Sequence, residues 1–225
     1  MYKRQTYAFV HDKVRSALLS HLSEDELRDT HQAIAEVLDS SQDQDRETVY
    51  AKARHFAQGW VERNPKQVFD LNLEAGDAAL QDYARESADE FLRVAAGISE
   101  RFEIQTDHRY WQARGICSGL MGRFEDCVDA YNKAIAGCDD QLRRARMRVD
   151  LANVYLGHHD GVAVWKESIT ALKEAGKNMP TGGLSRFVTT IWDLSRAIVV
   201  SKLPFLRGTA KGDTRTRYEI QADIF

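Results

Sequence analysis

Apolar residues recur every three or four positions along most of this chain of 225 residues. A clear example lies between residues 124 and 135, where the apolar positions are Phe124, Cys127, Val128, Tyr131, Ala134 and Ile135. This spacing places the side chains on one face of an α-helix, because every third and fourth residue meet on successive turns. Only residues 7–10, Tyr-Ala-Phe-Val, favour a short strand. The pattern predicts an all-α chain.

The first third of the chain predicts three helices separated by polar segments. A first helix ends near Leu22, and Ser23 with Glu26 has the pattern of a capping box that begins the second helix. The polar run of residues 39–45 is the clearest linker. A third helix, over about residues 46–62, is expected to stop at Asn64-Pro65, since the residue before a proline avoids helical backbone angles.

From residue 66 onward the pattern changes to a repeat of helix pairs. Three alanines near the ends of the second helices, Ala95, Ala134 and Ala171, are separated by 39 and 37 residues. Trp111 and Gly115 fit a first helix in which a small residue lets its partner approach closely. These offsets resemble the tetratricopeptide repeat of about 34 residues, which implies a solenoid of antiparallel helix pairs. The pairs are expected near residues 68–97, 108–137 and 142–175.

Two further helices are predicted after the third pair. Residues 185–201 carry an apolar face that is expected to pack on that pair: Phe187, Val188, Ile191, Leu194, Ile198 and Val199. A helix from Thr214 reaches the apolar pair Ile224 and Phe225, whose packing partner is expected beyond the chain. We therefore expect a fragment of a longer protein, which would self-associate through its truncated C-terminal face because an uncapped solenoid exposes apolar surface.

Short motifs near the start resemble a junction found in large bacterial signalling ATPases, the STAND/AAA-type predicted ATPases. The motifs are Tyr-Ala-Phe-Val-His-Asp at residues 7–12, His31-x-x-Ile34-Ala35, and His55-Phe56-Ala57 followed by Gly59. The resemblance implies that residues 1–40 are a winged-helix remnant with its connecting helix and that residues 46–225 are the repeats. It also implies that the ATPase domain, with its ATP and Mg²⁺, precedes this fragment, and that the parent protein carries a kinase, cyclase or transcriptional output domain.

Composition and charge argue against several other classes. Lys and Arg (31) nearly balance Asp and Glu (34), and the formal charge of −3 argues against binding nucleic acid through bulk charge. The most apolar stretch is too short and too charged to span a membrane. The cysteines Cys117, Cys127 and Cys138 lack a CxxC spacing and suit buried positions in a reducing cytosol. We expect a cytoplasmic protein that binds neither nucleic acid nor membrane.

No motif for catalysis or for a metal or cofactor is complete. A phosphate-binding loop cannot be written at residues 208–214, because the lysine precedes the second glycine. His158 and His159 are adjacent, so their rings diverge on a helix, and we interpret them as a solvated turn rather than a metal site. His11 and His31 are interpreted as local hydrogen-bond partners. We therefore expect no catalytic residue and no cofactor in this chain.

Two charged segments have structural interpretations that we favour over chemical ones. Asp139 or Asp140 is interpreted as a helix N-cap, with a catalytic carboxylate pair as the alternative. Residues 143–148, which contain four arginines, are interpreted as a solvated helix face with salt bridges, with phosphate contact as the alternative. The flanking Asp139, Asp140 and Asp150 are the expected acidic neighbours.

The remaining surface for a partner is the groove formed by the first helix of each pair. The repeat template places Asp70, Asp77, Arg109, Gln112, Arg146 and Asn153 toward it. A clamp for a peptide C-terminal carboxylate would need a lysine one turn before Asn153, and that position is Val149, so the clamp is not supported.

The expected function is protein–protein interaction, as the sensor or autoinhibitory arm of a signal-transduction ATPase. Its partner would be a protein or peptide, or the ATPase and output domains of its own parent chain. By itself the arm would have no catalytic activity. One alternative is a stand-alone tetratricopeptide-type adaptor that binds peptides. Another is an enzyme with an unrecognised helical active site.

Overall fold

The computed structural model describes residues 17, 19–41, 45–177 and 210–224, and all regular structure in these ranges is helical. The helices are α1 (Glu24–Ser40), α2 (Arg46–Gln58), a 3-10 turn (Val61–Arg63), α3 (Pro65–Gln81), α4 (Arg85–Arg101), α5 (His108–Leu120), α6 (Phe124–Ala136), α7 (Gln141–Gly157), α8 (Gly161–Glu174) and α9 (Asp213–Ile224). The prediction of an all-α chain is confirmed over the described residues. The predicted strand at residues 7–10, the winged-helix remnant before α1, His11 and the predicted helix at 185–201 lie outside them.

The chain divides into two compact units, Met1–Thr106 and Asp107–Phe225. In unit 1, α1 packs on α2, α2 on α3, and α3 on α4. Helix α1 begins at the predicted capping box: the Ser23 hydroxyl accepts from the Glu26 backbone N–H, and the Glu26 carboxylate accepts from the Ser23 N–H. That hydrogen bond lowers the pKa of Glu26. The prediction of this helix start is confirmed.

The predicted end of the third helix, which was expected to cover about residues 46–62, is wrong. Helix α2 ends at Gln58, and Gly59 follows because a Cβ there would lie 2.8 Å from Gln32 Oε1 on α1. Asn64 does not stop a helix but begins the next one, since its side chain accepts from the Gln67 N–H. Pro65 is the first residue of α3, where a missing N–H costs nothing because that group has no partner within the helix.

Three hairpins share one turn geometry, in which three residues connect two helices. The middle residue of each turn has a left-handed backbone: Tyr83 (φ 56°), Gly122 (φ 72°) and His159 (φ 60°). The next N–H donates to the carbonyl five residues earlier, at 2.9 Å (Ala84 to Ala79), 2.8 Å (Arg123 to Ser118) and 3.1 Å (Asp160 to Tyr155). This bond satisfies a carbonyl that the helix end would otherwise leave without a partner. Such short turns make the paired helices antiparallel.

The three turns repeat at the spacing found for the alanines in the sequence. Tyr83, Gly122 and His159 are 39 and 37 residues apart, as are Ala95, Ala134 and Ala171. Each of these three alanines has no exposed surface. The prediction of a degenerate repeat of helix pairs is therefore confirmed in the hairpins α3–α4, α5–α6 and α7–α8. His158 and His159 form a turn, as predicted.

Close helix approach in two hairpins depends on glycine. A Cβ at Gly76 of α3 would lie 2.9 Å from the Leu92 side chain of α4. A Cβ at Gly115 of α5 would lie 2.9 Å from the ring of Tyr131 on α6. Real Cβ atoms do not make contacts this short, so any other residue would require the Leu92 or Tyr131 side chain, or the helix that carries it, to shift.

Unit 2 contains the hairpins α5–α6 and α7–α8, and α9 packs on both α7 and α8. Ile220 of α9 is fully buried against Ala145 and Val149 of α7, and Ile224 of α9 packs against the same cluster. The expectation that Ile224 lacks a packing partner within the chain is therefore wrong. The hairpin α7–α8 supplies that partner through small side chains. Phe225 lies outside the described residues.

Candidate protein-interaction surface

Four of the six side chains predicted to line a partner groove lie on the first helices of the two hairpins of unit 2. Arg109 is exposed in the first turn of α5, and Gln112 is half-buried one turn later. Arg146 and Asn153 are both exposed on α7. The two α7 residues have different surroundings, because α9 contacts Arg146 whereas Asn153 borders an open pocket.

Arg146 is part of a small charged cluster with two carboxylates. Its guanidinium pairs with Asp223 of α9, and its Nε lies 3.7 Å from Asp150 Oδ1 on the next turn of α7. Burial raises the pKa of Asp150, while the positive charge of Arg146 lowers it and the carboxylate of Asp223 raises it. Helix α9 therefore lies against the part of the predicted groove that contains Arg146, although Arg146 stays partly exposed.

A pocket of about 310 Å³ opens beside Asn153. Its apolar surface comes from Phe124, Cys127 and Val154, and Asn153 and His158 add polar groups. Three glycines, Gly119, Gly122 and Gly157, complete the lining. The pocket lies between the turn of the hairpin α5–α6 and the C-terminal end of α7, so it is formed by both hairpins of unit 2.

Aromatic stacking builds one wall of this pocket. The ring of Phe124, the first residue of α6, lies 3.7 Å from the ring of His158 between centroids, with 31° between their planes. The Tyr155 ring meets the ring of Phe124 edge-on, with centroids 5.9 Å apart. His158 is exposed, as expected for a turn, but its stacking on Phe124 was not predicted. The residues are 34 positions apart, so no local pattern connects them.

Gly157, the last residue of α7, is the lining glycine at which a side chain can be added most easily. A Cβ built at Gly157 would have no heavy atom within 4 Å. A larger residue at this position would therefore project into free space without a clash in the fold. Gly157 is consequently the position at which the pocket can be filled with the least effect on packing.

Cys127 contributes to the pocket lining as an unreactive thiol. It is fully buried, and burial raises its pKa to about 11. A cysteine acts as a nucleophile in its thiolate form, so this shift removes reactivity near neutral pH. Cys117 and Cys138 are also buried and form no disulfide, and the prediction that all three cysteines lie in the core is confirmed. The arrangement suits binding of an apolar group better than covalent chemistry.

Two of the four arginines of α7, Arg144 and Arg148, are held by glutamates from α8. Arg148 Nη1 donates to Glu167 Oε2 at 2.7 Å, and Arg148 Nε donates to Glu174 Oε2 at 3.1 Å. Arg144 Nε donates to the other oxygen of Glu174 at 3.4 Å. The side chains of Glu167 and Glu174 are only 10% and 16% exposed, so these pairs are largely shielded from solvent.

The prediction of a salt-bridged face in residues 143–148 is right about ion pairing, but wrong about the partners of two arginines and about their exposure. Of the three expected aspartates, Asp150 does pair with Arg146. Arg144 and Arg148 instead point between α7 and α8, where they are shielded by the paired helix. Asp140 is the N-cap of α7, as predicted, and the backbone N–H groups of Arg143 and Leu142 lower its pKa.

Unit 1 contains two further groups of polar side chains that the sequence singled out. Asp70 is exposed on α3 and pairs with Lys66 one turn earlier, and Asp77 is half-buried on the same helix. His31 of α1 and His55 of α2 face each other with 2.8 Å between their Nδ1 atoms. His31 therefore has a hydrogen-bonding neighbour, but not the local one that was predicted, because His55 is 24 residues away on a different helix.

The described residues show no arrangement typical of a metal centre or a membrane span. No cluster of three or more potential metal-ligating side chains occurs among them. None of the helices in the described ranges combines the length and the apolar character needed to cross a membrane. The geometry that stands out in unit 2 is therefore the pocket beside Asn153 and the surface beneath α9.

No family model matches the chain, and searches of the curated proteins and of the solved structures also found no match. The class of the protein is therefore defined by its own structure. Over the described residues it is an all-α protein built from degenerate helix hairpins.

Proposed function

We propose that this chain is a protein-interaction arm that binds a protein or peptide partner through unit 2. The observation that carries the proposal is the pocket of about 310 Å³ between the two hairpins of a helical repeat. Helix pairs cannot bury their apolar faces alone, and the stacks they form present extended surfaces to partners. The pocket adds a defined anchor point to such a surface.

The lining of the pocket supports a peptide partner with one apolar side chain. Phe124, Val154 and Cys127 offer an apolar surface, while the exposed carboxamide of Asn153 can both donate and accept a hydrogen bond. A peptide presents this combination, because its side chain is apolar and its backbone carries both kinds of hydrogen-bonding group. We therefore propose that an aliphatic or aromatic side chain enters the pocket and that Asn153 contacts the adjacent peptide backbone.

The motifs at residues 7–12, 31–35 and 55–59 support a place for this arm in a STAND-type signalling ATPase. In this proposal the arm is cytoplasmic and acts as a sensor or as an autoinhibitory element of the ATPase. It has no catalytic activity of its own. A stand-alone adaptor would use the same pocket. The reading frame upstream of this chain distinguishes the two proposals, since a Walker A motif in frame supports the ATPase arm.

The test uses the full chain and an array of ten-residue peptides, each with a single Leu, Met, Phe or Ala in a polar sequence. We expect binding of peptides that carry the large apolar residues and not of those with alanine. The variant Gly157→Phe fills the pocket and should weaken this binding at least fivefold. Gly97→Phe is the matched control, because Gly97 is also an exposed helical glycine with no heavy atom within 4 Å of a built Cβ.

Two results of this experiment would contradict the proposal. One is that peptides with alanine bind as well as those with leucine or phenylalanine. The other is that Gly157→Phe and Gly97→Phe have the same effect. Circular dichroism of each variant verifies that the helical content is retained, so that a loss of binding reports on the pocket.

A further inference from the structure

Helix α9 is attached to unit 2 by very few side chains. Residues 211–219 are all exposed, although most of them belong to the helix. Ile220 is its only buried residue, and Ile224, one turn later on the same face, is partly buried. A helix that buries one side chain and is exposed over two thirds of its length contributes little to its own attachment.

The surface beneath α9 is shaped to receive a helix. Ala145 and Val149 of α7, Ala171 of α8 and Ala175 directly after α8 are at most 3% exposed and form the cluster that Ile220 enters. Small residues on two neighbouring helices leave a shallow channel into which the ridge of a third helix fits. The channel accepts two aliphatic side chains spaced four residues apart, as Ile220 and Ile224 are.

Charge complementarity fixes the orientation of the bound helix. Asp223, directly before Ile224, pairs with Arg146 of α7, and Arg146 also faces Asp150. An acidic residue at this position therefore completes a cluster in which one arginine meets two carboxylates. A helix with a basic residue at the same point would face the same arginine and be repelled.

Helix α9 leaves part of this surface unfilled. A second pocket of about 240 Å³ lies beside Ile224 and is lined by Val164, Trp165, Ile169 and Leu172 of α8. Trp165 is 60% exposed. A partner helix with a larger side chain than Ile224 would fill this space and bury more apolar surface than α9 does.

We propose that the surface formed by Ala145, Val149, Ala171 and Ala175, with Arg146 at its edge, is a helix-binding site that α9 occupies within the chain. Its partner is an amphipathic helix with two aliphatic residues four positions apart and an acidic residue directly before the second. Helix α9 then acts as an internal competitor, which a partner must displace to bind. This inference extends the proposed interaction function to a second site, distinct from the pocket beside Asn153.

The test uses the full chain and a fluorescein-labelled peptide of residues 210–224, with fluorescence anisotropy as the readout. In the wild-type chain the tethered α9 competes at high effective concentration, so the peptide should bind weakly. The variant Ile220→Asp releases α9 and leaves the site intact. We expect it to bind the peptide at least fivefold more tightly than the wild-type chain, and a smaller gain would overturn the proposal.

A second variant does not alter any buried residue. Asp223→Arg reverses the charge opposite Arg146, so it should weaken the attachment of α9 to α7. The affinity of the chain for the labelled peptide should then rise at least threefold. Glu219→Arg is the matched control: it makes the same charge change on an exposed residue of α9 whose ion pair, among the described residues, is with Arg215 of the same helix. Equal peptide affinities for these two variants would overturn the proposal, whatever happens to the folding of Ile220→Asp.

A charge exchange tests the orientation of the peptide. A labelled peptide with Asp223→Arg should bind the Ile220→Asp chain at least fivefold less tightly than the natural peptide. Introducing Arg146→Asp into that chain should restore binding of the altered peptide, and failure of this restoration would overturn the role of Arg146. Gly157→Phe should change none of these affinities, so the outcome here is distinguishable from failure of the pocket proposed above.

Discussion

The hairpins α5–α6 and α7–α8 share a turn geometry but are held together by different side chains. In α5–α6, Gly115 lets the ring of Tyr131 lie directly against the helix backbone. In α7–α8, Arg148 bridges Glu167 and Glu174 across the same kind of helix pair. The backbone repeat is therefore compatible with an apolar contact or with a shielded ion-pair network.

The two hairpins should therefore lose stability in response to different substitutions. An apolar contact is lost gradually as packing loosens, whereas a shielded ion pair that loses one partner leaves an uncompensated charge. The hairpin α7–α8 should be more sensitive to the removal of one charge. The hairpin α5–α6 should be more sensitive to added volume and to ionisation of its buried groups.

The largest effect is expected for Arg148→Met. This variant leaves Glu167 and Glu174 without their principal cationic partner, and because both side chains are mostly shielded the free energy of unfolding should fall by about 3 kcal/mol. Arg93→Met is the control, since Arg93 is 71% exposed and pairs with Asp89 at 3.8 Å. Its cost should stay below about 0.5 kcal/mol in urea denaturation. Similar losses of unfolding free energy in both variants would show that the shielded ion pairs of α7–α8 stabilise the chain no more than an exposed ion pair does.

The second effect is an alkaline loss of stability that originates in α5–α6. Burial raises the pKa of Cys127 from 9.0 to about 11, and burial also raises the pKa of Tyr131. Because each folded-state pKa is above the unfolded value, the stabilisation is complete below the unfolded pKa and is lost as the pH rises. For Cys127 the loss should amount to about 2 kcal/mol between pH 9 and 11.

Urea denaturation at pH 7.5, 9 and 10.5 measures this loss. The variant Cys127→Ala should have a flatter dependence of stability on pH above 9 than the wild-type chain, since it lacks the ionising thiol. Tyr131→Phe should flatten the dependence above about pH 10, where free tyrosine ionises. An unchanged slope in both variants would exclude these two groups as its origin.

The third effect is expected for Gly115→Ala. A Cβ at this position would lie 2.9 Å from the Tyr131 ring, so the ring or the helix that carries it must shift. The cost of overpacking exceeds the gain in helix propensity, and the net loss should be about 1 to 2 kcal/mol. Gly137→Ala is a suitable comparison, because the nearest atom to its built Cβ is 3.4 Å away and its cost should be smaller. If Gly115→Ala is neutral, the close approach in α5–α6 is not a constraint.

The smallest effects on stability are expected for substitutions at the middle residues of the turns in α5–α6 and α7–α8. Gly122→Ala places a Cβ on a residue with φ 72° and should cost about 1 kcal/mol, although no heavy atom lies near the added group. His159 has φ 60° in the equivalent turn, and His159→Gly should gain a similar amount. Thermal unfolding of both variants measures the opposite signs. Shifts in the same direction would show that the two turns are not equivalent.

Interactions within about one helical turn were predictable from the sequence. The capping box of Ser23 and Glu26, the N-cap Asp140 and the turn at His158 and His159 each involve residues at most three positions apart. The amphipathic spacing also placed Ala134 on one helix face with Cys127 and Tyr131, and all three are buried, because side chains three and four apart share a helix face. These features depend on local geometry, which the order of residues determines.

The tertiary structure decided what lies opposite each face. The partners of Arg148 on α8 are 19 and 26 residues away, Asp223 is 77 residues from Arg146, and the Phe124–His158 wall of the pocket joins residues 34 positions apart. No local pattern predicts such pairs, because they depend on the rotation and separation of packed helices. The sequence by itself determined the helical character of the chain, the caps at Ser23 and Asp140 and the repeat of the helix pairs. Packing determined the pocket, the shielded ion pairs and the place of α9, since each of them needs side chains from different helices.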